Sequence, residues 1–435
     1  MTRPADAGRP RFDIGEIVRE HREALEAVQW LSPGQRRVLT DMAQCRTAAL
    51  GGHLEVCPNG DYERPAYNSC RNRHCPKCQA LAQEAWIEER RERLLDVGHF
   101  HVVFTVPSQL RSLAKFAPNV VYAALFSAAS ETLRELADTR LGATLGVTMV
   151  LHTWTRELLF HPHVHAIVTA GGLSHDGATW VRCRHKYLFP VRMMGTLLCG
   201  KMIDALRKAH RKGSFKGFDE FEDPQGFDAL MMRIPSTGWN VHAKAPFAKS
   251  QHVLAYLGRY THRVGIANSR LLDVSSERVT FRTRGDAIAS VTPVVFLQRL
   301  VQHVLPDRFH KIRHYGLYAS GANEKAHVAR ALLGALPATT PKRRTFAEKL
   351  LAITGRDIAR CPRTRRKGTR SRRRANRGFF SGGETSARKI NSSGIPAVAP
   401  ERPLHEFTSS MASKEVVHLR GEIVGRPCRA VARRS

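Results

Sequence analysis

His161-Pro162-His163-Val164-His165 decides how this chain is read, together with the apolar segment Val147 to Trp154 that precedes it. Side chains in an extended strand alternate between its two faces, so His161, His163 and His165 point to the same side. Val147 to Trp154 and Val164 to Ala170 both have strand character, and the link between them is short. That pattern predicts an antiparallel hairpin. In such a hairpin His152 comes opposite the paired histidines, so either His152 or His161 can complete a three-nitrogen metal site with His163 and His165. Further along, Tyr256-Leu257-Gly258-Arg259-Tyr260 places two phenols four residues apart, side by side on a helix. A divalent cation beside a phosphate and a phenol able to attack phosphorus together suggest phosphoryl transfer. Lys244, Arg259, His262 and Arg263 can supply the positive charge that favours a phenolate, whose ordinary pKa is near 10.

The charge balance selects the partner. Sixty-nine Lys and Arg against 38 Asp and Glu leave a net charge of +31. A polyanion, and nucleic acid first, is the expected ligand. Hydrophobic content of 42% fits a globular protein. No long uncharged apolar run or signal-peptide pattern is seen, so a cytoplasmic protein with no membrane partner is expected. No Walker-type phosphate loop is present either.

Among the nine cysteines, Cys57, Cys70, Cys75 and Cys78 fall as C-x12-C-x4-C-x2-C, and the closing Cys75-Pro76-Lys77-Cys78 is a zinc knuckle. These four are the expected ligands of a structural Zn2+, with His53 and His74 as spare imidazoles. Arg71, Arg73 and Lys77 lie among them and are read as phosphate contacts, with Lys244, Arg259 and Arg263 adding further DNA-binding cations.

Hydrophobic spacing predicts two helices over residues 13–45, broken at Ser32-Pro33-Gly34, and a charged helix from Ala80 to Leu95. It also predicts a strand from Phe100 to Val106 and a helix from Leu110 to Leu136. Helices follow over Phe189 to Ala209, Ser250 to Thr261 and Phe296 to Val304, with a hairpin formed by Arg278 to Arg282 and Ala289 to Val291. Residues 361–377 carry nine basic and no acidic residues, so the tail is expected to be a largely disordered polycation. The expected organisation is a helical segment over 1–44, a zinc-binding domain over 45–95, a catalytic domain over 96–325 and a basic tail over 326–435. The fold class is α+β.

The segments CRTAALGGH (45–53), YNSCRNRHCPKCQ (67–79), HVVFTVP (101–107), VLHTWTRELLFHPHVH (150–165), LAYLGRYTHRV (254–264) and KIRHYG (311–316) occur in this order. Together they resemble the two-tyrosine rolling-circle transposases of the insertion sequence 91 family, within the His-hydrophobe-His (HUH) endonuclease superfamily. The resemblance covers roughly residues 35–320. It implies an antiparallel sheet flanked by helices, with His163 and His165 as ligands of a catalytic Mg2+ or Mn2+, and Tyr256 and Tyr260 as nucleophiles. It also implies a zinc-binding front domain, and it favours His152 over His161 as third ligand. The implied substrate is single-stranded DNA at transposon ends and target, in a bacterial, nucleoid-associated protein, with room for a homodimer. Two other readings stay open on the residues alone: a DNA-binding protein without catalysis, and a nuclease in which water attacks. The chain departs from the family at Cys57-Pro58-Asn59-Gly60, where a second thiolate is missing and a histidine is available to substitute. It departs again at Cys361-Pro362, where the closing knuckle has no partner.

Overall fold

A computed structural model of the chain describes residues 10–57, 62–184, 188–247, 253, 258, 265–334, 344–355, 357, 358, 360 and 371–375. The helices α1 (Ile14–Val28) and α2 (Pro33–Gln44) open the fold. Asp13 caps the first; Ser32 and Gln35 form a reciprocal capping box on the second, with Pro33 at its first position. The strands β1 (Gly52–Val56) and β2 (Glu63–Tyr67) form an antiparallel hairpin that sequence periodicity does not predict, and α3 (Gln79–Arg93) follows the cysteine knuckle. Next come β3 (His99–Thr105), α4 (Arg111–Phe116) and α5 (Pro118–Arg140). The single helix expected over 110–136 is two, because Pro118 has no N–H to continue the first.

The long strands β4 (Ala143–Trp154) and β5 (Phe160–Ser174) form the expected hairpin, extended by the short β6 (Trp180–Arg182). Helices α6 (Val191–Arg211), α7 (Asp219–Glu222) and α8 (Pro224–Arg233) lead to β7 (Val241–Phe247). The meander β8 (Leu271–Val274), β9 (Val279–Arg282) and β10 (Ile288–Val291) precedes α9 (Pro293–Val301), β11 (Ile312–Gly316), α10 (Asn323–Leu332) and α11 (Phe346–Thr354). Finally β12 (Ser371–Ala375) pairs antiparallel with β1. The backbone of 371–375 is therefore a strand inside the segment expected to be disordered; residues 361–370 and 376–435 lie outside the described residues. The architecture is α+β.

The principal sheet runs β11-β4-β5-β3-β7, all antiparallel, with β6 beside β5. Alternation divides its side chains cleanly. Phe100, Val102 and Phe104 of β3, Val147, Met149 and Leu151 of β4, and Phe160, Val164, Ala166 and Val168 of β5 join the main core with α4, α5, α6 and α8. Thr148, Val150, His152, His163, His165 and Ile167 take the opposite face.

A second core joins α1 and α2 to β8, β9 and α9, and includes Cys45 and Cys75. It spans residues from the helical, zinc-binding and sheet segments of the sequence. Lys77 fastens this corner: its Nζ donates to Asp13 Oδ2 at 2.6 Å and to the Cys45 carbonyl at 2.7 Å, while Asn268 donates to Asp13 Oδ1 at 3.0 Å. Among the described residues, no helix is long and apolar enough to cross a membrane.

Two buried histidines close the frame. His303 donates from Nε2 to the Leu158 carbonyl at 3.1 Å and accepts from the Thr153 hydroxyl at 3.2 Å. His99 donates from Nδ1 to the Val97 carbonyl at 2.8 Å and accepts from the Tyr318 hydroxyl at 2.7 Å. Burial holds each down to about 4. In the unfolded chain these rings take up a proton as pH falls below 6.5, whereas the folded rings resist until about 4. Stability contributed by their neutral state is thus full above pH 6.5 and is lost between 6.5 and 4, on the order of 3 kcal/mol for each ring. Urea denaturation across this range should show His303→Gln losing less stability on acidification than the unmodified protein; equal losses would exclude His303 as a source.

Candidate metal centres and nucleic-acid interface

The register of β4 against β5 sets His152 directly opposite His163, and Val150 opposite His165. Ligand atoms of His152, His163 and His165 all lie within 4.8 Å of one another. His163 Nε2 and His165 Nε2 are 3.1 Å apart. Two nitrogens at right angles around a cation with bonds of about 2.1 Å would stand about 3 Å apart, so this pair fits a shared divalent ion. His163 Nδ1 donates to the His161 carbonyl at 2.7 Å, which leaves its Nε2 lone pair facing the cluster. Trp154 stacks on His152 with ring centroids 4.5 Å apart and walls one side.

His161 shares the strand face but not the cluster. Its Nδ1 accepts from Arg111 at 3.1 Å, and it is absent from the convergent group. Burial lowers the pKa of His163 to about 4 and that of His165 well below its usual value, with nearby imidazoles adding to the effect on His165. Both rings are neutral at pH 7, so no proton competes for their lone pairs.

Tyr256, Tyr260, Arg259 and Arg263 lie outside the described residues. Their described neighbours Val253 and Gly258 are helical, and both touch the histidine side of the sheet or what covers it. Val253 is buried with Val150 and Ile167, beside Trp86 and Leu94. Gly258 lies so close to α3 that a side chain there would run into Ile87, with Gln83 Nε2 3.2 Å from the added carbon. Lys244 is exposed on β7 at the register of His101.

The second cluster corrects the sequence reading. Cys45, Cys70, Cys75 and Cys78 converge, with all sulfurs within 4.8 Å of one another; Cys57 is not among them. The cause is the β1–β2 hairpin. Its base is closed by Asn68 N–H to the Gly51 carbonyl at 3.0 Å, next to Cys45 and Cys70, while Cys57 N–H bonds the Tyr62 carbonyl at 3.0 Å at the tip. Five extended residues carry Cys57 roughly 17 Å from that base. The residues between Cys57 and Cys70 are thus spent on an excursion, and the C-cap of α2 supplies Cys45 instead. The signal in the sequence was the leftover Cys45 just ahead of the cluster. Neither spare imidazole substitutes: His53 sits on β1 near Glu55, and His74 accepts from Leu305 N–H at 3.0 Å.

Sulfur separations of 3.5 Å for Cys45–Cys78 and 3.6 Å for Cys70–Cys78 are far too long for a disulfide at about 2.05 Å and match tetrahedral thiolates around zinc, about 3.8 Å apart. Contact with Cys45 pushes the Cys70 and Cys75 thiols up, while Cys70 draws Cys45 down to about 7. Four such sulfurs ionise together only around a cation.

Two of the cations read as phosphate contacts are committed to the frame. Arg73 donates to the Phe309 and Pro306 carbonyls, each at 2.6 Å, and Lys77 holds Asp13 and Cys45 as described. Arg71, by contrast, is exposed, with a φ of 55° in the turn before the knuckle. Zinc stoichiometry should separate the two cysteine assignments. Cys45→Ser is expected to lose the metal and destabilise α1 and α2, whereas Cys57→Ser keeps it; the reverse outcome would restore Cys57 as the ligand.

A family model described as "Transposase zinc-binding domain" matches residues 17–106, and one described as "Putative transposase" matches residues 146–326. A Sinorhizobium fredii protein carrying that same second description is 41% identical over 366 residues, covering 80% of this chain and 92% of the relative. The transposase for insertion sequence element IS801 of Pseudomonas savastanoi pv. phaseolicola is 30% identical over 336 residues, covering 74% of this chain and 80% of the relative. No solved structure matches with comparable significance. The chain belongs to the insertion sequence 91 family of transposases and carries that family's zinc-binding domain ahead of its sheet.

Proposed function

We propose that this transposase nicks single-stranded DNA at transposon ends through a phosphotyrosine and transfers the strand in rolling-circle transposition. The observation that carries this reading is the convergence of His152, His163 and His165 on one face of the central hairpin. These imidazoles would hold Mg2+ or Mn2+. When bound, the ion would polarise the scissile phosphate and stabilise charge growing on its oxygens.

The chain's own groups supply the rest. One phenol of the Tyr256/Tyr260 pair attacks phosphorus; the P–O3′ bond breaks, leaving a 5′-phosphotyrosyl strand and a free 3′-hydroxyl. The phosphotyrosine bond conserves the energy of the cleaved diester, so no nucleotide is consumed. The second phenol takes up or resolves a second strand. Val253 and Gly258, which bracket Tyr256, support this role because Val253 packs on Val150 and Ile167 of the histidine face and Gly258 lies against Ile87 of α3, the helix whose Trp86 joins the same cluster. Lys244 and Arg71 are exposed cations suited to backbone phosphates, with Arg259 and Arg263 proposed beside the tyrosines. The Cys45 cluster holds Zn2+ as a structural ion.

Incubation with single-stranded oligonucleotides from the element's ends and Mg2+ or Mn2+ should give a covalent protein–DNA adduct on a denaturing gel. The Tyr256→Phe, Tyr260→Phe double variant should give none, and His163→Ala should cleave about 100-fold more slowly or worse. Cleavage that persists in the double variant would identify water as the nucleophile, and DNA binding without any cleavage would mark a protein that has lost catalysis.

Packing at Gly258 offers a separate check. Gly258→Val should slow adduct formation by about 10- to 100-fold through misplacement of the tyrosine segment. Trimming the partner in a Gly258→Val, Ile87→Ala pair should recover much of the loss. If the pair is no better than the single variant, contact with α3 does not position the segment.

A further inference from the structure

His101 is buried to 2% exposure on β3, between core residues Phe100 and Val102. Its place on the strand puts it on the histidine face, opposite Ile167 of β5 and Lys244 of β7. Its Nε2 lies 2.8 Å from His165 Nδ1, with the two ring planes only 8° from parallel. An imidazole buried so deeply is costly unless hydrogen-bonded, and this bond offsets the cost.

We propose that His101 is a positioning residue for the metal centre: its Nε2 accepts from Nδ1–H of His165 and so fixes that ring's tautomer and plane. The inference rests on the reading of His165 as a cation ligand. A neutral imidazole carries one N–H. His165 Nε2 is the atom that faces His163 Nε2 at 3.1 Å, so only the Nδ1–H tautomer leaves a lone pair there. His163 meets the same requirement with a backbone acceptor, the His161 carbonyl. The register gives His165 a side chain instead, because Val103, not His101, is its direct partner on β3 and the His101 ring reaches it diagonally. Outer partners of this kind typically change metal affinity by about 10- to 100-fold.

The test uses full-length, zinc-loaded protein and Mn2+ as probe, with binding followed by electron paramagnetic resonance. His101→Leu, which removes the acceptor, should weaken Mn2+ binding by about 10- to 100-fold, and His101→Gln, whose amide oxygen can accept, should recover most of it. Undiminished affinity in His101→Leu would overturn the proposal. Long-range 15N–1H spectra of the metal-free unmodified protein should show His165 as the Nδ1–H tautomer; the Nε2–H form would also overturn it. That spectrum needs no variant, so it stands even if His101→Leu fails to fold. His163→Ala separates the two levels. If it retains full Mn2+ affinity, the metal-site reading itself fails and takes the His101 role with it. If it loses Mn2+ while His101→Leu does not, only the positioning role is wrong.

Discussion

The pairing of β4 with β5 is the constraint on which the rest of the molecule depends. Strand alternation has a period of two, so a slip of one residue would turn His163 and His165 into the core and expose Val164 and Ala166. The register is held by apolar burial: Phe160, Val164 and Val168 pack with α4, α5 and α6, and each large side chain contributes roughly 1.5–3 kcal/mol. On the other face a separate set of contacts, Val253, Trp86 and Leu94 against Val150 and Ile167, covers the sheet, and burial there keeps the imidazoles of His163 and His165 neutral. Packing on one side of the sheet thus fixes which side chains converge on the other.

The cysteine cluster extends that frame to the front of the chain. Cys45 and Cys75 belong to the core that unites α1 and α2 with β8, β9 and α9. Cys78 stands at the start of α3, whose 15 residues span roughly 22 Å. That helix carries Trp86 over the histidine face and Ile87 against Gly258. A zinc ion at the cysteines would therefore fix the origin of the helix that seats the described part of the tyrosine segment. Arg73 and Lys77 point inward and tie the cysteine knuckle to the frame, through the Phe309 and Pro306 carbonyls and through Asp13 and Cys45.

What could be read from the sequence follows from how local each signal is. The H-x-H strand, its hairpin with His152, the capped helices α1 and α2, and the knuckle at Cys75 and Cys78 depend on spacings of a few residues, and they appear where alternation and capping place them. Cys45 was missed because ligand choice depended on a hairpin whose strands, ERPAY and GHLEV, carry no strong alternation. β7 and β11 complete the principal sheet through contacts far apart in sequence, which local periodicity does not encode. His101 was hidden within a segment read only as a buried strand. Arg71 and Arg73 are two residues apart in one basic stretch; only tertiary contacts reveal that one is exposed and the other holds carbonyls.

A divalent-cation site on β4 and β5 can be seen by anomalous diffraction from crystals soaked in Mn2+. A manganese peak is expected within bonding distance of His152, His163 and His165, distinct from a zinc peak among Cys45, Cys70, Cys75 and Cys78. A manganese peak that engages His161 in place of His152, or full manganese occupancy elsewhere with none at the three histidines, would contradict it.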